Sequence, residues 1–169
     1  LKDPGHGVAS YRAGSAAALL SEADADAISW NGVAMLHVSG ITAALGGTAP
    51  AFVRRLVDRA REAGVPVSVD VNHRAPLWSE TAASGPLLDL ARRADVVFVG
   101  RDEAETLWAT ADADAVRALL PDVPQLVVKD GAVGATLFAG DDVVFEPALV
   151  VDVVEPVGAG DAFAGGYLA

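Results

Sequence analysis

Two rhythms of apolar residues alternate along the chain. Short apolar runs at 35–38, 65–71, 96–99 and 125–129 read as buried strands, while the segments between them repeat apolar positions at helical spacing. The clearest helix covers about 50–63, where Phe52, Leu56 and Ala60 share a face, Pro50 suits the first turn and Gly64 ends the pattern. Further helical stretches are expected at 87–91, 103–108 and 113–120. Gly131, Gly134 and Gly140 then separate two last strands at 135–139 and 143–145. Near the start, residues 8–12 read as an edge strand or half a hairpin before the break at Gly14 and Ser15. Ser21, followed three residues later by Asp24, marks a helix start, because the hydroxyl satisfies an orphan amide and the carboxylate reaches back. The alternation predicts an open α/β sheet with helices on both faces; a closed eight-unit barrel needs more chain. The segments share no residue signature, so the recurrence is not a sequence repeat, and no low-complexity linker divides the core.

Composition narrows the picture. A chain of 169 residues with 52% hydrophobic content supports one sizeable core. Twelve Lys and Arg against 23 Asp and Glu give a formal charge of -11, which argues against a nonspecific nucleic-acid or anionic-membrane surface. With no Cys there is no disulfide framework and no thiolate nucleophile or metal ligand. No apolar run reaches membrane-spanning length, and a cytoplasmic location is expected. The chain opens at Leu1 and stops at Ala169 inside an Ala-rich, helix-like stretch, so a fragment is expected.

The most specific chemistry lies at 157–166, Val-Gly-Ala-Gly-Asp-Ala-Phe-Ala-Gly-Gly, after the apolar run 150–154. Small residues at 158–160 let backbone amides approach a phosphate, and the helix that begins here adds aligned N–H donors and the positive end of its dipole. Beside an anion, Asp161 makes sense as a general base that takes a proton from an alcohol before phosphoryl transfer. The plainer alternative is a Gly-rich turn with Asp161 serving as a helix cap. A dinucleotide fingerprint is weakened because Phe163 stands where its third Gly belongs, and a Walker loop is weakened because Gly-Lys followed by Ser or Thr is missing.

Gly158-Ala159-Gly160-Asp161 resembles the centre of the C-terminal signature of ribokinase-like PfkB carbohydrate kinases, Asp-Thr-x-Gly-Ala-Gly-Asp; Glu155-Pro156 departs from the usual Asp-Thr. The resemblance implies that Asp161 is the catalytic base and that the backbone of Gly158, Ala159 and Gly160 stabilises the transferring phosphoryl charge. Residues 67–78 resemble the Asp-x-Asn-x-Arg-x-x-Leu-Trp segment of 2-keto-3-deoxygluconate kinases. Arg74 suits a sugar-acid carboxylate through its bidentate fork, with Asp70 and Asn72 orienting the loop and polar ligand groups; the alternative is a salt-bridged Arg74. Residues 10–16 are similar to that subclass's Tyr-Tyr-Arg-x-Gly-Ser-Ala, which implies substrate roles for Tyr11 and Arg12, with Ser10 replacing one tyrosine. Residues 36–42 resemble a third segment, in which Ile41 approaches the substrate through its backbone and His37 is packed within the strand.

Gly100-Arg101-Asp102-Glu103 sits where the family has Asn-x-x-Glu, which implies an indirect, water-mediated Mg²⁺ role for Glu103; a solvated carboxylate is the alternative. Residues 127–135 resemble Lys-x-Gly-x-x-Gly and imply that Lys129, Gly131 and Gly134, together with Gly158 and Gly160, line the nucleotide side; an ordinary surface Lys129 is the alternative. The resemblance as a whole implies a ribokinase-like, mostly parallel three-layer α/β/α core truncated at both ends. Residues 1–20 would form a partial substrate lid and residues 21–169 a partial catalytic core. The expected reaction is ATP-dependent phosphorylation of 2-keto-3-deoxygluconate at its 6-hydroxyl, with ATP as cosubstrate and Mg²⁺. Other sugars or nucleosides are the alternative substrates, and noncatalytic sugar-acid or nucleotide binding is the alternative function. Self-association through the lid is a further implication, as is little or no kinase activity in a chain of this extent.

Overall fold

In the computed structural model, residues 2–3, 7–8, 14–154 and 157–169 are described. Two short strands, β1 (Lys2–Asp3) and β2 (Gly7–Val8), form an antiparallel pair of their own. The main sheet has six strands in sequential order: β3 (Leu36–Ser39), β4 (Val67–Asp70), β5 (Val96–Gly100), β6 (Gln125–Asp130), β7 (Gly134–Ala139) and β8 (Asp142–Pro147). The first four run parallel, and β7 and β8 return as an antiparallel meander. The open α/β sheet predicted by the pattern is therefore present, as is the mostly parallel α/β/α core that the resemblance implies.

The helices expected at 50–63, 103–108 and 113–120 form there. Ser21 and Asp24 cap α1 (Glu22–Asp26), with Asp24 accepting from the Ser21 amide at 2.8 Å and its hydroxyl at 2.7 Å. The short α2 (Gly40–Ala43) follows β3 directly. In α3 (Ala49–Glu62), Phe52, Val53, Leu56, Val57 and Ala60 make one buried stripe. The fourth helix, α4 (Glu80–Ala91), begins well before the expected 87–91 because Ser79 caps it, accepting from the Ala82 amide at 3.3 Å, and Pro86 is tolerated inside. Then come α5 (Arg101–Trp108) and α6 (Ala113–Leu119), the latter capped by Asp112, which accepts from the Ala115 amide at 2.8 Å. The last helix, α7 (Ala159–Leu168), follows an exposed apolar stretch containing Leu149, Val150 and Val154. Among the described residues, no helix is long and apolar enough to cross a membrane.

Alternation along the strands sorts the core into two faces. Val67, Val69, Val71, Val97, Val99, Leu126 and Val128 join Val53, Leu56, Val57, Leu87, Leu107 and Val116 in one large cluster. The intervening residues Val96, Phe98 and Val127 point the other way, where Ala164, Tyr167 and Leu168 of α7 cover them. On that second face β4 presents Ser68 and Asp70, both buried. A valine strand with two polar residues on one side thus places its chemistry beside α7.

Candidate active site

The carboxyl ends of β3 to β6 share one edge of the sheet, and the N-terminus of α7 meets them there. Asp70, the last residue of β4, is only 4% exposed, yet it is paired: the Lys129 ammonium donates to its Oδ1 at 3.1 Å. The link spans β5, since Asp70 is in register with Phe98 and Lys129 with Gly100. A buried carboxylate is costly unless a partner is supplied, and Lys129 supplies it. The ordinary surface lysine weighed above is therefore not what the fold contains. Gly160 lies over this pair: a Cβ there would stand 3.6 Å from Lys129 Nζ and 4.0 Å from Asp70 Oδ2. Three segments far apart in sequence, 70, 129 and 160, converge.

The α7 terminus is held in place from behind. Gly158 adopts φ 81°, a left-handed conformation that a side chain would strain, and its carbonyl accepts from the Ala162 amide at 2.9 Å. The first amides of the helix, those of Ala159, Gly160 and Asp161, have no intrahelical acceptor and carry the positive end of the dipole. Asp161 sits in this first turn, exposed, while Gly158 occupies the cap position proposed as its alternative role. Phe98 anchors the helix through edge-to-face contacts with Phe163, centroids 6.3 Å apart, and with Tyr167 at 5.3 Å. The Tyr167 hydroxyl donates to Gln125 Oε1 at 2.6 Å, and burial raises its pKa above the ordinary phenol value.

The loop after β4 carries the polar residues of the 67–78 segment. Asn72 has φ 43° and donates from Nδ2 to Ser39 Oγ at 3.2 Å. The same hydroxyl accepts from the Ile41 amide at 3.3 Å, so Asn72 and Ile41 meet on one side chain. Next along the loop, the His73 amide donates to Glu103 Oε1, and His73 Nε2 lies 3.2 Å from the Trp78 carbonyl oxygen. The other Glu103 oxygen accepts from the Gly100 amide at 3.1 Å. Burial raises the Glu103 pKa; the two backbone donors and Lys129 oppose that rise, and Asp70 adds to it. Glu103 is thus a bonded carboxylate and not a freely solvated one. Arg74 is exposed and makes no ion pair among the described residues, unlike the salt-bridged alternative.

Tyr11 and Arg12 lie outside the described residues, as do Glu155 and Pro156. Gly131 turns with φ 48° between β6 and β7. Gly134 is required by packing, since a Cβ would fall 2.4 Å from the Glu146 carbonyl oxygen and against the Phe145 ring. The strand meander therefore explains both glycines, and any ligand role adds to that. His37 is exposed, with Nδ1 3.1 Å from Ser68 Oγ; it was expected to be packed within its strand, but β3 is the sheet's edge and its second face is thinly covered. No group of three or more His, Cys, Asp or Glu able to hold a metal ion occurs among the described residues. Sequence reasoning missed the Asp70–Lys129 pair and the Ser39 hub; the polar Ser68 and Asp70 inside a valine run were the available signal.

A glycine-rich helix start set over a buried ion pair, at the carboxyl edge of a mostly parallel sheet, defines an α/β protein suited to holding an anionic group. The chain belongs to the pfkB family of carbohydrate kinases, whose model matches residues 4–169. The 2-dehydro-3-deoxygluconokinase of Bacillus subtilis (strain 168) is 35% identical over 162 residues, which are 94% of this chain and 50% of that protein. Fructokinase-2 of Oryza sativa subsp. japonica is 32% identical over 162 residues, 94% of this chain and 48% of that protein. The crystal structure of a PfkB protein from Polaromonas sp. JS666 matches with a TM-score of 0.83 and 31% identity, covering 98% of this chain and 55% of that one. The chain spans about half the length of the curated relatives it matches. Relatives named for a sugar acid and for fructose match at similar identity, so the comparisons support the family and do not single out the gluconate subclass.

Proposed function

We propose that the protein transfers the γ-phosphoryl group of ATP to a sugar-acid hydroxyl, with 2-keto-3-deoxygluconate giving its 6-phosphate as the leading case. The observation that carries the reading is the placement of Gly160, in the first turn of α7, over the Asp70–Lys129 pair, in a chain whose Arg74 is exposed and unpaired among the described residues. The free amides of the α7 terminus and the Lys129 ammonium face charge that develops on a transferring phosphoryl group. Asp161 accepts the proton of the attacking alcohol; the alcohol oxygen bonds to γ-phosphorus, the bond from γ-phosphorus to the bridging oxygen breaks, and ADP departs. Mg²⁺ bound to the nucleotide supplies neutralising charge for the β- and γ-phosphates. Arg74 holds the carboxylate end of the sugar acid, joined by Arg12 and Tyr11 from the 1–20 segment, while Asn72 and Ile41 fix the adjoining backbone through Ser39. Gly131 and Gly134 shape the nucleotide side.

A neutral-sugar kinase is the second reading, favoured by the fructokinase match over the same share of the chain. Steady-state ADP formation by the full-length protein across sugar acids, fructose, ribose and nucleosides separates the two. Preference for the sugar acid, with KM raised on the order of tenfold or more in Arg74→Ala, supports the proposal, since hydrogen bonds to charged groups are worth about 1.5–3 kcal/mol. Equal activity on neutral sugars, unaffected by Arg74→Ala, contradicts it. Sugar-acid binding without any ADP formation would instead mark a noncatalytic binding protein.

A further inference from the structure

We infer that Glu103 is a positioning residue for sugar-acid recognition, a clasp that locks the Arg74 loop onto the end of β5, in addition to any water-mediated contact with a nucleotide-borne cation. The inference rests on the sugar-acid reading above.

The geometry is unusual for a residue whose only task is to face a metal. Both carboxylate oxygens are engaged by the backbone, one by the His73 amide and the other by the Gly100 amide at 3.1 Å. The two donors belong to different strand ends: Gly100 closes β5 and caps α5, and His73 lies in the loop that follows β4. Parallel pairing of β4 with β5 ends near Asp70 and Phe98, and the Val71 amide makes one further bond to the Phe98 carbonyl at 3.0 Å. Beyond that point the loop leaves the ladder, and Glu103 is the side chain that takes over the next amide.

The neighbours show what this clasp holds. Asn72 precedes His73 in the left-handed conformation, which asparagine adopts more readily than most non-glycine residues, and its bonds fix the chain there. On one side Asn72 is tied to Ser39; on the other, His73 is tied to Glu103 and, through its ring, to the Trp78 carbonyl. Arg74 comes immediately after this pinned pair and is itself exposed. A long, rotamer-rich arginine loses less on binding a carboxylate when its backbone is already fixed. Releasing the His73 amide frees the loop, and Arg74 then has to be ordered by the ligand. A side chain with no hydrogen-bonding group at 103 also leaves two backbone donors without their partner.

The test is sugar-acid binding by the full-length protein, measured calorimetrically with 2-keto-3-deoxygluconate in the absence of nucleotide and Mg²⁺, where a purely metal-directed role is silent. Glu103→Ala should weaken Kd on the order of tenfold. Glu103→Gln, near-isosteric and with one carbonyl oxygen left to accept, should lose less. Combined with Arg74→Ala, the Glu103→Gln substitution should add nothing further, because the two act through one contact. Hydrogen exchange at the His73 amide should accelerate in Glu103→Ala and to a smaller degree in Glu103→Gln, whose remaining oxygen is shared between the His73 and Gly100 amides. Should Glu103→Ala not fold, the Gln variant, its cycle with Arg74→Ala and the exchange rate carry the test. Wild-type sugar-acid affinity in folded Glu103 variants, or full additivity with Arg74→Ala, overturns the inference and leaves the substrate reading standing. Absence of sugar-acid binding in the wild-type protein overturns both.

Discussion

The two faces of the sheet are built on opposite plans. One is sealed by α3 to α6 over a continuous field of Val, Leu and Ala; the other, among the described residues, is covered by α7 and mixes Phe98, Val96 and Val127 with Ser68, Asp70 and Lys129. The same strands serve both, because alternate residues point to opposite sides. The first face has the apolar area that drives folding, at about 25 cal/mol per Å² buried. On the second face, burial is spent on holding a helix terminus and an ion pair in register. Stability and chemistry are thereby separated by a one-residue offset along β4 and β5.

Breaking the anchor of the thin face should have the largest effect on stability. Phe98→Ala removes a fully buried ring that meets Phe163 and Tyr167, and should cost about 3–5 kcal/mol in denaturant unfolding. Its neighbour Val97, equally buried, faces the other way. Hydrogen exchange should therefore show α7 losing protection disproportionately in Phe98→Ala compared with Val97→Ala. Equal loss across both faces would mean that α7 is not held by this ring.

The glycines of the α7 turn sharpen the contrast at a smaller scale. Gly158→Ala places a side chain at φ 81° and should cost about 1–3 kcal/mol of stability. Gly160 has no positive φ, and a methyl there meets only ordinary contacts, so Gly160→Ala should change stability by about 1 kcal/mol or less and can raise it. On the proposed mechanism phosphotransfer should nevertheless fall in Gly160→Ala, since the methyl would stand 3.6 Å from Lys129 Nζ, where the transferring group is proposed to bind. A thermal melt paired with an ADP-formation assay reads both. Full activity in Gly160→Ala would show that no ligand comes close to that backbone.

The smallest effect concerns pH. Burial raises the Tyr167 pKa above its ordinary value of 10.0, so the folded state prefers the neutral phenol. The contribution of this group is intact below 10.0 and is lost as the pH climbs through the raised folded value. Alkaline melts should show a decline that Tyr167→Phe removes, with the Tyr167–Gln125 bond given up in exchange. An identical alkaline decline in Tyr167→Phe would assign the effect elsewhere.

Much of this arrangement was legible in the chain. The valine runs and the Phe52, Leu56, Ala60 stripe specify strands and a helix through period alone, and Gly158-Ala159-Gly160-Asp161 marks the turn into the last helix. Long-range side-chain pairing was not legible. Asp70 and Lys129 are separated by 59 positions, and only the order β4, β5, β6 brings them within 3.1 Å. Neither reading of Glu103, an indirect Mg²⁺ role or a solvated carboxylate, included its bonds to the backbone, because the donors His73 and Gly100 advertise nothing in their side chains. Pro86 concealed the first half of α4, since a proline inside a helix looks like a boundary when its neighbours are unknown.

Asp161, in the first turn of α7, is the proposed base. The direct measurement is kcat for ADP formation by the full-length protein and its Asp161→Asn variant, at saturating ATP, Mg²⁺ and 2-keto-3-deoxygluconate. Asn keeps the size of the side chain and its place in the first helical turn but cannot accept the alcohol proton. The variant should fold and bind the sugar acid while kcat drops by about 10²–10⁴-fold. A kcat near that of the wild type would contradict the assignment.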